Sequence, residues 1–369
     1  IRRSFRAATA ARRRRCRSED RASADRMKVR LANLWRAPLW IVQLATGAKS
    51  FVDNPVIGSA RLNRRGLHGA RLSLAHLMAS SRRRRLASAI DPQHRVAFDR
   101  DGFLCLPDFM PAGDFDALRR QLLETEHESR EHRQGDTVTR RVAIGPEIVR
   151  TIPMLGALLD SRRWKGLMRY VASTGGEPVY YLQSIVTGQE DGPPDPQRQL
   201  HADSFQPALK AWLFLTDVDV DDGPLTYVAG SHRLTPLRLA WERRRSVTVL
   251  DDGDRLSQRG SLRIDETELA GLGLPPPSTF AVRANTLVLI DTFGFHARGE
   301  SARPGVRVEL WAYRRRSPFL PWTGLSLLSL SGIALRRSQW SYRIVDWLDT
   351  RGWWKQHWLP VGEKLADRP

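Results

Sequence analysis

The sequence predicts a mainly β protein, a sandwich or barrel with flanking helices. From Pro178 onward, short apolar runs alternate with turn residues: Pro178–Val186, Ala208–Leu215, Leu225–Val228, Thr279–Val282, Thr286–Ile290 and Val306–Tyr313. Runs of that length, separated by Gly, Pro and Asp, are the pattern of strands in a closed or layered β fold. Before them the periodicity is helical: Leu155, Leu158, Leu159, Trp164, Leu167 and Met168 supply the apolar faces of two helices within 152–173. A chain of 369 residues that is 41% hydrophobic is large enough for one big globular domain or two ordinary ones.

In chain order, residues 1–26 are rich in Arg, Ala and Ser and lack an apolar period, and Met27 suits a natural initiator. Residues 27–90 predict one or two short helices, with turns at Asn54-Pro55 and from Gly66 to Gly69. Asp91-Pro92 offers an acidic cap followed by proline at the first helical position, and Gly102 closes that helix. Phe103–Leu106 reads as a strand, and Pro111 opens a longer helix through about Glu131. His127 and His132 then lie five apart on that helix, off a common face, and read as solvated. Asp191 to Pro196 is a loop, and 232–278 is a long polar insertion with a triple proline, Pro275 to Pro277. In the tail, Arg314 to Arg316 precede a mostly apolar stretch from Phe319 to Leu335 and a run rich in tryptophan.

The formal net charge is +19, and roughly half of the excess lies in the first thirty residues, around Arg12 to Arg15. A second basic run spans Arg82 to Arg85. Such runs are most simply solvated or disordered ends, with an anionic membrane surface as the alternative. No nucleic-acid module accompanies them, so nucleic acid is not expected as a partner. Cys16 and Cys105 form no CxxC pair and no zinc spacing, which fits a reducing compartment. No apolar run reaches the roughly 18 residues of a spanning helix.

The chemistry centres on His201-Ala202-Asp203. On extended backbone, side chains at i and i+2 point the same way, so His201 and Asp203 can share one ion while Ala202 points elsewhere. His296 follows the apolar run Thr286 to Asp291 and supplies a third ligand from another strand. Two imidazoles and one carboxylate hold one face of an Fe(II) ion and leave the other open for O2 and a cosubstrate. Arg307, inside the next strand, offers a planar fork for the far carboxylate of a keto diacid such as 2-oxoglutarate. Its structural alternative is a strand residue paired with Glu309.

At these residues the chain resembles the phytanoyl-CoA dioxygenase family of Fe(II)/2-oxoglutarate oxygenases. The matching parts are Phe98 to Phe103, His201-Ala-Asp203, Asp222-Gly-Pro-Leu to Gly-Ser-His232, His296 and Arg307, from about Val96 to Tyr313. The resemblance implies a double-stranded β-helix (jelly-roll) core with iron in the mouth between two sheets. It also implies that Trp212 lies near the cosubstrate and, more weakly, that Gln183 does. Members often carry a small hydroxyl residue two positions after the distal His; here it is Arg298, so anchoring falls on Arg307 or is shared with Arg298. Related halogenases replace the metal carboxylate with a small residue; Asp203 is retained, which favours oxygen transfer.

The expected organisation is therefore a basic, partly disordered extension over 1–90, an Fe(II)/2-oxoglutarate dioxygenase jelly roll over 91–316, and an amphipathic Trp/Arg-rich helical tail over 317–369. The expected function is hydroxylation of an unactivated C–H bond in a small or lipid-like molecule. The alternative is a catalytically silent jelly-roll binding protein at a membrane surface. The expected location is cytoplasmic, with a peripheral position at the inner membrane face as a variant of it.

Overall fold

The computed structural model describes residues 34–188, 192–324 and 331–369. The expectations for Arg12 to Arg15, Cys16 and Met27 lie outside the described residues, as do part of the loop before His201 and part of the apolar stretch after Phe319.

Two antiparallel sheets face each other. The larger contains β1 (Phe103–Leu106), β2 (His127–Gln134), β3 (Thr137–Ala143), β4 (Val179–Thr187), β5 (Leu209–Phe214), β8 (Leu287–Asp291), β10 (Gly305–Arg314) and β11 (Leu359–Lys364), in the order β1-β8-β5-β10-β4-β3-β2-β11. The smaller consists of β7 (Ser278–Thr279), β6 (Leu225–Tyr227) and β9 (His296–Arg298). Alternation along the strands divides two cores. Leu209, Ala211 and Leu213 of β5, with Leu310 and Ala312 of β10, pack outward. Their partners there are Leu118, Leu122, Leu155, Trp164 and Leu167 on helices Ala112–Leu123, Pro153–Asp160 and Arg162–Val171. Trp212, Phe214, Val288, Ile290 and Trp311 point inward, onto Leu225 and Tyr227 of the smaller sheet. Because both faces of the large sheet are covered, β8 is buried along its whole length and reads as a continuous apolar run. The core is the expected jelly roll.

Three local expectations are corrected. The helix opened by Pro111 stops at Leu123, and His127–Gln134 is strand β2 rather than helix. That segment has good helix formers, but β3 and β11 pair with it on both sides, and ladder partners outweigh propensity. The overlooked signal is Gly135-Asp136, a two-residue hairpin turn between the paired Gln134 and Thr137, with Gly135 at φ 61°. The tail is likewise a helix, Arg337–Asp349, followed by the strand β11.

The third correction concerns the basic run of Arg82 to Arg85, which is not a solvated end. It closes the 19-residue helix Leu67–Arg85. Arg82 is buried and donates to the carbonyls of Ser173 at 2.7 Å, Pro318 at 3.1 Å and Leu320 at 2.7 Å. Arg83 donates to the Val171 carbonyl at 2.7 Å and to Asp291 Oδ2 at 2.8 Å. Arginine thus satisfies backbone oxygens that have no ladder partner. No described helix is long and apolar enough to cross a membrane.

Removing the Arg82 guanidinium leaves buried carbonyls without donors. We expect Arg82→Ala to destabilise the protein by about 2–4 kcal/mol in chemical denaturation, and Arg84→Ala, at an exposed position, by under about 0.5 kcal/mol. Equal effects would show that the run acts only through its charge.

Candidate metal centre

His201 and His296 form a backbone pair across the mouth of the two sheets. Each amide donates to the other's carbonyl at 3.0 Å. On its other side the 200–202 segment pairs with the 232–278 insertion, where Ala202 N–H donates to Leu262 O at 3.0 Å. Ala202 packs with Phe51, Leu262 and Phe295, away from the ligand side, as the i, i+2 spacing requires.

The two imidazole rings lie 4.6 Å apart between centroids. His201 Nδ1 is 2.8 Å from the Gln199 carbonyl and His296 Nδ1 is 3.0 Å from the Gly294 carbonyl. A carbonyl only accepts, so both Nδ1 atoms carry the proton and both Nε2 atoms present a lone pair. Those Nε2 atoms lie 3.6 and 3.7 Å from Asp203 Oδ1. One ligand atom from each of the three residues falls within 4.8 Å of the other two, the only such group among the described residues. Two neutral nitrogens and one carboxylate oxygen fit a divalent first-row metal, with the rest of its coordination sphere left to small ligands. Gly294 has a packing reason: a Cβ there would lie 1.9 Å from the Tyr227 hydroxyl, which donates to the Asp291 carbonyl at 2.9 Å.

Electrostatics keep this set in its metal-binding form. Burial lowers the His296 imidazole to about 4, with the Lys210 ammonium acting in the same direction. Burial and the neighbouring His296 hold His201 well below the usual imidazole range. Burial alone would raise the Asp203 carboxyl, but Lys210 and the two imidazoles outweigh it and hold it below the ordinary carboxylate range. Lys210 Nζ lies 2.9 Å from Asp203 Oδ2 and 3.4 Å from His296 Nε2. Lys49, from the N-terminal helical region, donates to the Asp203 carbonyl.

The two histidines open onto a cavity of about 180 Å³ whose wall includes Gln183, Lys210, Trp212, Arg298 and Arg307. The structure thus brings His201, His296, Gln183, Trp212, Arg298 and Arg307 to the wall of one space, with Asp203 beside the two histidines. Their partners differ. Arg307 donates to the Gly223 carbonyl and its Nε lies 3.6 Å from Glu309 Oε2. Arg298 is tied to the fully buried Asp195 at 2.6 Å. Gln183 accepts from Arg141 Nε at 2.7 Å and donates to Glu309 Oε1 at 2.8 Å. Glu309 is buried, which pushes its carboxyl up, with Arg307 opposing. Sequence reasoning missed Lys210, Arg141 and Trp358 of the tail in the wall, and the contact of the buried Glu309 with Gln183. Lys210 had a signal, since it stands two residues before Trp212 on one strand. Arg141 and Trp358 had none, because β2, β3 and β11 bring them in.

The family model for phytanoyl-CoA dioxygenase (PhyH) matches residues 98–253. Over that stretch the chain is similar to the phytanoyl-CoA dioxygenase family. The matched stretch holds Gln183, His201, Asp203, Lys210 and Trp212, while His296, Arg298 and Arg307 follow it. Solved structures similar to this chain include the epimerase SnoN in complex with Fe3+, alpha ketoglutarate and nogalamycin RO, with 22% identity and a TM-score of 0.41 over 65% of this chain and 94% of that one. HygX from Streptomyces hygroscopicus with nickel and 2-oxoglutarate has 20% identity and a TM-score of 0.39 over 60% and 85% of the two chains. EctD from S. alaskensis with bound Fe has 19% identity and a TM-score of 0.37 over 62% and 77%. No curated protein matches the chain in sequence.

Two outcomes follow for metal titrations. With His296 lowered to about 4 and His201 lower than usual, protons compete for the site only at low pH. Affinity for Co(II) or Ni(II), read by calorimetry, should be level from about pH 8 to 6 and fall below about pH 5. An inflection near the ordinary imidazole value would contradict the neutral-histidine site. The Lys210 ammonium repels a dication, so Lys210→Met should tighten metal binding about tenfold or more. A weaker site in that variant would mean that Lys210 chiefly holds Asp203 in position.

Proposed function

We propose that this protein is an Fe(II)- and 2-oxoglutarate-dependent dioxygenase that hydroxylates an unactivated C–H bond of a small or lipid-like molecule. The carrying observation is the convergence of two Nε2 lone pairs on Asp203 Oδ1 at 3.6 and 3.7 Å, with both Nδ1 atoms already committed to backbone carbonyls. Iron and 2-oxoglutarate, when bound, supply the activation of O2 and the electrons for its reduction.

The chain's own contribution is geometric and electrostatic. His201, Asp203 and His296 would hold the metal, and the Lys210 contact to Asp203 Oδ2 would leave Oδ1 free as its oxygen ligand. Arg307 faces the cavity and would pair with the distal carboxylate of the keto diacid, beside Trp212. Arg298 is committed to Asp195, so it supports the cavity wall and leaves anchoring to Arg307. Trp212, Trp311 and Trp358 narrow the cavity and limit water at the reacting carbon. No side chain is required as a general base.

Anaerobic addition of 2-oxoglutarate to the Fe(II) protein should give a visible charge-transfer band. Incubation with iron, ascorbate, 2-oxoglutarate and a cell extract should release succinate and give a species heavier by one oxygen. His201→Ala and Asp203→Ala should each lower turnover by at least about 100-fold. Undiminished turnover in both variants would refute the assignment, and absence of the band in the parent protein would favour the silent binding protein, in which Glu309 already neutralises Arg307.

The reading that the protein rests on an anionic membrane surface, with a lipid-like substrate, draws on the tail. Trp347, Trp353 and Trp354 are 49%, 69% and 62% exposed, and the Arg351 guanidinium lies 3.7 Å from the Trp347 ring centroid. Aromatic rings beside arginine suit the headgroup region of an anionic bilayer. Vesicles containing anionic lipid should pellet the full chain and release it when Trp353 and Trp354 are both changed to Ser. Equal pelleting of the two proteins, or none, would remove the membrane surface from this reading.

A further inference from the structure

Arg141 differs from the other cations on the wall of the metal cavity. Lys210 meets Asp203 at 2.9 Å, Arg298 meets Asp195 at 2.6 Å, and Arg307 lies 3.6 Å from Glu309. Arg141 lines the same cavity and has no carboxylate within ion-pair reach among the described residues. Its Nε donates to the neutral Gln183 at 2.7 Å. Its guanidinium otherwise lies against aromatic rings, 4.1 Å from the Trp311 centroid, 4.4 Å from Trp358 and 5.2 Å from Tyr181. Rings on several sides remove water from the cation and return only a partial attraction.

The charge balance of the wall points the same way. Four cations, Arg141, Lys210, Arg298 and Arg307, stand against three carboxylates, Asp203, Asp195 and Glu309. A ferrous ion and a doubly charged keto diacid would cancel each other, which leaves one positive charge. A desolvated cation without a partner is costly unless a ligand brings the partner. Position separates Arg141 from the cosubstrate end. It sits on β3, two strands from Arg307 on β10, beside His132 and the tail residue Trp358. It also borders a second cavity of about 300 Å³ that includes Glu147 and Tyr342.

Resting on the oxygenase reading, we propose that Arg141 is the anion-binding group for the substrate. The substrate is a small organic anion whose carboxylate, sulfate or phosphate pairs with the free edge of the guanidinium. Its apolar portion packs beside Trp311 and Trp358, between the anion and the metal. The C-terminal strand β11 closes the cavity behind it through Trp358.

The test uses binding to the full chain and needs no turnover. Benzoate, benzenesulfonate and phenyl phosphate are titrated against neutral benzamide by calorimetry, on the parent protein, Arg141→Met and Arg141→Lys. The parent should bind at least one anion about tenfold or more tightly than benzamide. Arg141→Met should abolish that preference and Arg141→Lys should retain part of it. The 2-oxoglutarate affinity read from the Fe(II) charge-transfer band should stay within about threefold in both variants. No anion preference in the parent, or a preference that survives Arg141→Met, overturns the proposal. A tenfold loss of 2-oxoglutarate affinity in Arg141→Met also overturns it, because Arg141 would then serve the cosubstrate. Absence of the band in the parent would instead sink the oxygenase reading while leaving an Arg141-dependent anion site measurable.

Discussion

His201 and His296 exchange both of their backbone hydrogen bonds at 3.0 Å, and the site is built outward from that pair. The pairing fixes the separation of two rings contributed by segments almost a hundred residues apart. It also places Gln199 and Gly294 so that their carbonyls receive the two Nδ1 protons. Tautomer, ring orientation and spacing are therefore settled by main-chain geometry. A ligand set arranged in this way is organised in advance and loses little freedom when a metal enters.

Around that pair the protein concentrates positive charge in a desolvated space. Each of three cations is matched by its own carboxylate, two of them, Asp195 and Glu309, fully buried. Glu309 is the most consequential. It lies 3.6 Å from Arg307 and accepts from Gln183, so it lowers the cost of the buried Arg307 guanidinium. Arg307 is held in place by the Gly223 carbonyl and Glu309.

The segments outside the jelly roll take part in the same construction. Lys49 reaches the Asp203 carbonyl from the N-terminal side, and Arg83 links the Leu67–Arg85 helix to Asp291, next to the residue whose carbonyl accepts from Asp203 N–H. On the opposite side, β11 pairs with β2 and delivers Trp358 to the cavity wall. Arg82 and Arg83 of a basic run thus hold the core, and one tryptophan of the tail, Trp358, bounds the site.

The His201, Asp203 and His296 set, the strand that carries Trp212 and five of the six main apolar runs were legible from the sequence, because each is a local pattern; the run at Thr279–Val282 is instead the two-residue strand Ser278–Thr279 and a lone bridge at Val282. His-X-Asp works through the period of extended backbone, and the strands announce themselves through length and turn residues. Phe103–Leu106 and the Asp91-capped helix were legible for the same reason. The conversion of His127–Gln134 into strand, the burial of Arg82, the capture of Arg298 by Asp195 and the arrival of Arg141 and Trp358 were decided by tertiary structure. Each depends on which distant segment supplies a hydrogen-bond or charge partner. That choice is made by the packing of the two sheets and leaves no periodic trace in the neighbouring residues.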